Sequence, residues 1–223
     1  MINLNNVSYR YRSGTQDVLK NVSAIFEHGK THAILGPSGC GKTTLLSIIA
    51  GLDRPASGTV LVDEDDLSAM DLDKYRRERV SMIFQAFQLF PLLTAIENVC
   101  VPKELKGEGV KKAGCDEAKQ LLYSVGIDDP LHKRYPANLS GGEQQRVAIA
   151  RALSSGAKII LADEPTGNLD VANGTEVISI LSSIAHERDY CVIIVTHNLD
   201  VADVCDVVYK MSDGKLSNAD DYI

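Results

Sequence analysis

Eight consecutive residues, Gly36-Pro37-Ser38-Gly39-Cys40-Gly41-Lys42-Thr43, are the part of this chain best suited to holding phosphate. They fit G-x-x-x-x-G-K-[ST] and follow the short apolar run Thr31–Leu35, which reads as a strand. Glycines let the backbone curl so that successive N–H groups point inward, and the helix that follows adds positive potential. In such a cradle Lys42 reaches the β- and γ-phosphates, Thr43 ligates Mg²⁺, and Thr44 continues the phosphate-facing turn. Further along, the apolar run Lys158–Ala162 ends in Asp163-Glu164. Asp163, at a strand's carboxyl end, is placed to hold Mg²⁺ directly or through water. Glu164 can polarise an attacking water as a general base. A GTPase would also need N-K-x-D, which does not occur. These residues predict nucleotide binding, and a kinase or many ATPases would fit them equally.

The segment Leu139-Ser140-Gly141-Gly142-Glu143-Gln144-Gln145-Arg146 discriminates between those classes. Ser140, Gly141 and Gly142 open a helix, and their N–H groups make a second anion site. One chain does not need two such sites for one nucleotide, but two chains facing head to tail do. The string resembles the signature of ABC-transporter nucleotide-binding subunits. That resemblance implies an α/β fold: a P-loop NTPase (RecA-like) core with an antiparallel β subdomain and an inserted helical subdomain. It also implies ATP hydrolysis with Mg²⁺.

The resemblance assigns further roles. Gln85 matches the glutamine that senses Mg²⁺ and the attacking water. His197 matches the histidine that contacts γ-phosphate, and Asn168-Leu169-Asp170 the loop that crosses the dimer interface. Tyr11 matches the aromatic that stacks on adenine, with Tyr9 as an alternative. The catalytic set is therefore Glu164, His197, Gln85 and Lys42, and the metal set Thr43, Gln85 and Asp163. All positions are intact, so a homodimer in the ATP state is the expected assembly, with a second, different cassette as the alternative. The string Phe84–Val99 and Glu164-Pro165-Thr166-Gly167-Asn168-Leu169-Asp170 resemble the branch serving lipoprotein release, macrolide export and antimicrobial-peptide resistance. That branch implies a separate transmembrane permease with an extracytoplasmic domain. Most of Phe84, Phe87, Leu89, Phe90, Leu92 and Leu93 are expected to form the helical lobe's core, and the resemblance implies that some line the groove for the permease's coupling helix. Cys40 departs from the ordinary pattern. It reads either as a small residue in a variable slot or as a reactive thiolate beside Lys42.

The elements that position these residues follow from patterning. Ile2–Tyr11 and Val18–Phe26 alternate around a Ser-Gly turn and predict paired antiparallel strands. Thr43–Ala50 predicts a helix closed by Gly51. Thr59–Asp63 and Val80–Gln85 predict strands, with a charged helix over Asp73–Arg79 between them. Ile96–Val99, Ala118–Val125 and Gln144–Leu153 carry helical spacing, so 86–155 reads as a helical subdomain inserted between 1–85 and 156–223. Lys158–Ala162 and Cys191–Val195 are continuous apolar runs typical of parallel strands covered on both faces. Val177–Ala185 predicts the helix between them, and Val207–Met211 with Lys215–Leu216 a closing hairpin.

Bulk properties narrow the partners. A hydrophobic fraction of 44% and a charged fraction of 24% are those of a globular protein, which excludes disordered and collagen-like chains. A net charge of -7, with no basic block beyond Arg76-Arg77 and nearby Arg79, argues against nucleic acid. No apolar stretch is long enough to span a bilayer and the N-terminus lacks signal-peptide features. Five scattered cysteines without a CxxC pair suit a reducing compartment. The expected location is cytoplasmic, peripheral on the inner face of the cell membrane. The alternative is a non-transport ABC ATPase on a ribosome or DNA, but those types carry two linked cassettes or long coiled coils. The chain's end soon after the hairpin predicts no C-terminal regulatory domain.

Overall fold

In the computed structural model the described residues are 1–11, 15–107 and 112–219, with the side chains of 112–115 outside that set. The expected Ser-Gly turn at 13–14 therefore lies outside the described residues. The first sheet contains β1 (Ile2–Tyr9), β2 (Leu19–Phe26), β4 (Ser57–Val62) and β5 (Asp65–Asp66), ordered β2-β1-β4-β5 and antiparallel throughout. The second contains β3 (Lys30–Leu35), β6 (Val80–Phe84), β7 (Ile159–Asp163), β8 (Cys191–Thr196), β9 (Val207–Ser212) and β10 (Lys215–Asn218). Its order is β10-β9-β3-β8-β7-β6, parallel except for the β9–β10 hairpin.

The continuous apolar runs behave as expected, since β8 is buried at every position and β7 at all but its last. Alternate side chains enter different cores. Leu161, Ile193 and Val195 pack with α1 (Lys42–Ile49) and the antiparallel sheet. Ile160, Ala162, Val192 and Ile194 pack on the other side with α6 (Gly141–Ser154) and α7 (Val171–Arg188). That second core also takes in Val99 of α3 (Ala95–Leu105) and Leu122 of α4 (Lys112–Ser124), so the helical segment shares a core with one face of the sheet. Among the described residues no helix is long and apolar enough to cross a membrane.

Several boundaries differ from expectation for local reasons. The first strand stops at Tyr9, where Val18 N–H closes onto the Tyr9 carbonyl, and does not reach Tyr11. α7 extends well beyond Val177–Ala185 because Asp170 caps its polar first turn, accepting from the Asn173 amide at 2.9 Å. α3 starts one residue earlier and runs six residues longer than Ile96–Val99. Thr94 and Glu97 form a capping box at its start, and Pro102 sits inside it. A charged helix is present as α2 (Leu72–Glu78), capped by Asp71. The short helices α5 (Asp129–His132) and α8 (Leu199–Asp203) span about one turn each, too little for an apolar period to register.

At the sheet's amino end Asp206 ties three elements together. Its carboxylate accepts from the Thr31 amide at 2.7 Å and the Thr31 hydroxyl at 2.8 Å, and lies 2.9 Å from His186 Nε2 in the last turn of α7. Burial pushes the Asp206 carboxyl up, but the Thr31 and His186 contacts outweigh it and bring it down to about 2, from an ordinary 3.8. A carboxyl held below its unfolded value contributes stability above that value and loses it as pH falls through the folded one. Asp206→Asn should therefore cost about 1 kcal/mol near pH 6, allowing for solvent screening. Thermal denaturation should show this as a drop of about 2–4 °C in Tm that closes as the pH is lowered from about 4 toward about 2. A gap unchanged across that window would show that the charge is not the source.

Candidate nucleotide site

Four of the five parallel strands deliver a candidate residue at the carboxyl end. Gly36 follows β3, His197 follows β8, Asp163 closes β7, and Gln85 follows β6. This is the edge where open α/β sheets hold ligands, since helix N-termini and loops converge there. The cradle begins where Gly36 passes close to β9: a Cβ on Gly36 would stand 2.3 Å from the Met211 carbonyl oxygen. It ends at Gly41, whose φ of 111° puts it in the region open to glycine, as N-cap of α1. Between them Cys40 is 8% exposed and joins the core that contains Met211. That burial favours the small-residue reading of Cys40 over an accessible thiolate.

Lys42 is buried, and its ammonium donates to the Gly36 carbonyl at 2.7 Å and the Pro37 carbonyl at 2.9 Å. The amine thus spans the cradle and is satisfied by the loop's own carbonyls. The Thr43 hydroxyl donates to Asp163 Oδ2 at 2.9 Å, so the two expected metal ligands from distant parts of the chain meet directly. Burial raises the Asp163 carboxyl, the Thr43 bond opposes that, and the neighbouring Glu164 charge adds to it. A cation placed there would relieve both unfavourable influences.

Glu164 adopts φ 49°, uncommon for a residue with a side chain. The turn is held at both ends, by Glu164 N–H to the Val195 carbonyl and by Gly167 N–H to the Glu164 carbonyl, each at 3.0 Å. Its carboxylate lies 2.9 Å from His197 Nδ1. An ionised carboxylate can only accept, so Nδ1 carries the hydrogen in this contact, and Nε2 makes no hydrogen bond among the described residues. The Glu164 side chain is 16% exposed and that of His197 61%, which orients the pair from the interior toward solvent. The arrangement can hold a carboxylate base at fixed position beside a cation site.

The remaining candidates form a second group. Gln85 and Asn168 exchange hydrogen bonds: Gln85 Nε2 to Asn168 Oδ1 at 3.3 Å, and Asn168 Nδ2 to the Gln85 carbonyl at 2.9 Å. Asp170 spends its carboxylate on the Asn173 amide and side chain in capping α7. A Cβ on Gly142 would fall 2.1 Å from Asn173 Oδ1, so the opening of α6 sits directly against that of α7. Ser140 departs from expectation. Its N–H donates to the Glu143 carboxylate at 2.7 Å in a capping box, so the donors left without a helical partner at this turn are the Gly141 amide, the amide of buried Gly142 and the Ser140 hydroxyl hydrogen. Among the described residues no hydrogen bond or ion pair joins Ser140–Gly142 to the cradle Gly36–Thr43.

Of the two tyrosines, Tyr9 is 9% exposed and Tyr11 46%. The Tyr11 hydroxyl lies 2.9 Å from Thr44 Oγ1 and its ring meets Tyr9 edge-on at 5.0 Å, so Tyr11 is the ring presented beside α1. Thr44, expected to face phosphate, is buried and engaged with Tyr11. Sequence reasoning passed over Gln145, whose fully buried amide donates to the Pro165 carbonyl at 2.8 Å, one residue past Glu164. The signal was present: Gln145, Ala148, Ile149 and Ala152 share the buried face of α6.

The ABC transporter family matches residues 19–167, a span that holds both the cradle and the Ser140–Gly142 turn. The chain belongs to that family. It is 41% identical to an ABC transporter ATP-binding protein of Methanocaldococcus jannaschii, MJ0796, over 97% of this chain and 95% of that protein. It is also 41% identical to the lipoprotein-releasing system ATP-binding protein LolD of Syntrophotalea carbinolica, over 97% of each. Against the macrolide export ATP-binding/permease protein MacB of a Shewanella species identity is 43%, over 92% of this chain but only 32% of that longer protein. The solved dimeric structure of the MJ0796 cassette superposes with a TM-score of 0.87 at 39% identity, covering 97% of both chains. A second dimeric structure of that cassette, bound to ADP and Pi after hydrolysis, gives the same TM-score at 37% identity over 98% of both. The two-sheet architecture is thus the ABC ATPase fold, and the chain is an ATP-hydrolysing, ATP-binding subunit of an ABC transporter.

Proposed function

We propose that two copies of this chain close head to tail over two ATP molecules, and that closure drives a separate membrane permease. The observation that carries this is the division of the site within one chain. Lys42, Thr43, Asp163, Glu164 and His197 stand together, while the Ser140–Gly142 donors form a separate group, with no hydrogen bond or ion pair to them among the described residues. Facing chains would unite the two halves, with Ser140, Gly141, Gly142 and Asp170 of each reaching the nucleotide held by the other. On this reading Tyr11 stacks on adenine, and Lys42 leaves the Gly36 and Pro37 carbonyls for the β- and γ-phosphates. Thr43 and Asp163 suit Mg²⁺ in oxygen donors and in the burial of Asp163, which favours a cation. Gln85, now bonded to Asn168 in the second group, would bring its amide oxygen to the same ion. Bound there, Mg²⁺ would neutralise phosphate charge. Glu164 would orient and deprotonate the attacking water, and His197, fixed by Glu164, would present its outer nitrogen to the γ-phosphate.

The lobe 86–155 would turn against 1–85 and 156–223 as ATP binds and leaves, carrying with it the surface around Phe90 and Leu92. Phe90 is 47% exposed and Leu92 86%, a reason to place the permease contact there and the chain on the cytoplasmic face of the membrane. The similarity to LolD and MacB supports a permease with an extracytoplasmic domain, used for export, extraction or resistance. The net charge of -7 supports a protein partner over nucleic acid. Affinity purification of tagged chain from detergent-solubilised membranes tests this. A co-purifying permease with a large extracytoplasmic domain is the expected result; ribosomes or DNA in its place would overturn it.

A further inference from the structure

The segment between Gln85 and α3 holds an unusual backbone. Phe87 and Gln88 lie consecutively at φ 57° and 53°, where bulky side chains are outliers and where neither residue is glycine. Both residues lie outside every described helix and strand, so their carbonyls belong to no sheet or helix ladder. Arg151, on the signature helix α6, meets both. Its Nη1 donates to the Gln88 carbonyl at 2.6 Å and Nη2 to the Phe87 carbonyl at 3.1 Å, while the guanidinium lies 5.9 Å from the Phe90 ring centroid.

The charge itself is otherwise unanswered. Among the described residues no carboxylate forms an ion pair with Arg151, although the side chain is partly buried. A desolvated cation without a counter-ion is unfavourable unless its donors are well used, and here the planar fork reaches two separate carbonyls at once. Asn98 of α3 secures the far end of the segment. It is fully buried, accepts from Phe90 N–H at 2.8 Å, and donates to the carbonyls of Phe90, Leu93 and Thr94 at 3.2, 3.0 and 3.0 Å. The segment is therefore anchored to two helices by polar side chains, while Gln85 at its head is tied to Asn168.

We propose that Arg151 is a positioning residue for Gln85: by gripping the Phe87 and Gln88 carbonyls it makes the segment after Gln85 move as one piece with the signature helix. This rests on the reading of Gln85 as a residue acting at the nucleotide. Closure that displaces α6 is then passed to Gln85 through three residues of fixed backbone and not through a slack loop. Lysine would replace the fork only in part, because Nη1 and Nη2 reach the two carbonyls from two separate nitrogens where lysine offers one.

The test compares Arg151→Gln, Arg151→Lys and Gln85→Ala in the full chain, reading kcat and KM for ATP together with amide hydrogen exchange across residues 86–93. In Arg151→Gln, exchange in that segment should accelerate about tenfold or more, with kcat lowered about tenfold and KM within about twofold. Arg151→Lys should fall between this variant and the parent, and serves as the test if Arg151→Gln does not fold. Adding Arg151→Gln to Gln85→Ala should lower kcat no further. Unchanged exchange in a folded variant overturns the proposal, as does a kcat loss that multiplies in full on the Gln85→Ala background. If Gln85→Ala alone leaves kcat intact, the reading of Gln85 fails, and the exchange data still decide for or against Arg151's grip.

Discussion

Replacing Glu164 with Gln should lower steady-state phosphate release by about 10²–10⁴-fold, the range expected for loss of a general base. The substitution is nearly isosteric. It leaves the φ 49° turn, with its bonds to Val195 and Gly167, free to form as before. The amide oxygen can still accept from His197 Nδ1, so the contact now spanning 2.9 Å has a neutral replacement. What vanishes is proton acceptance and one negative charge beside Asp163. That charge raises the Asp163 carboxyl, so its removal favours the ionised form of Asp163. ATP binding should accordingly survive, and the closed dimer should accumulate because its exit step is blocked. Phosphate release and size-exclusion chromatography with ATP read the two consequences separately. Turnover within about tenfold of the parent would remove Glu164 from the role of base.

Gly36→Ala should damage both stability and nucleotide binding, for a steric reason no motif states. The added methyl would stand 2.3 Å from the Met211 carbonyl oxygen and 2.9 Å from Cys40 Sγ. Met211 belongs to β9, which is paired with β3 on one side and β10 on the other, so the carbonyl has nowhere to retreat. The cradle must move instead, and Gly36 is one of the two carbonyls on which Lys42 rests. Overpacking of this kind costs about 1–3 kcal/mol. For a chain of this size that is a fall of about 2–12 °C in Tm. A rise of about tenfold or more in KM for ATP should accompany it, as expected when phosphate-binding groups are displaced. Gly39→Ala is the control. A Cβ there meets no atom within 4 Å, although φ is 79°, so only backbone strain of about 1 kcal/mol applies. Equal effects at the two glycines would show that contact with β9 is not the cause.

Much of the architecture was legible because it depends on short-range order. β7 and β8 announced themselves as unbroken apolar runs because helices cover both faces of the sheet, and the β9–β10 hairpin through its Asp213-Gly214 turn. The starts of α7 and α3 were not legible from apolar spacing, since they are set by the polar caps Asp170 and Thr94. Both caps could have been read from Asp and Thr placed ahead of helical sequence.

The sequence by itself determined the chemistry available to this protein: a phosphate cradle, two acids at a strand end, and a signature turn that names the family. Those are properties of neighbours along the chain, where spacing and residue type suffice. Tertiary structure alone decided which partners meet. Only strand order, with β8 lying between β3 and β7, brings Thr43 to Asp163 and His197 to Glu164. Only packing showed that Tyr9 is buried while Tyr11 is presented, and that Arg151 grips the backbone beyond Gln85. Burial and hydrogen-bond partnership at long separation are set by the whole fold, and no local pattern encodes them.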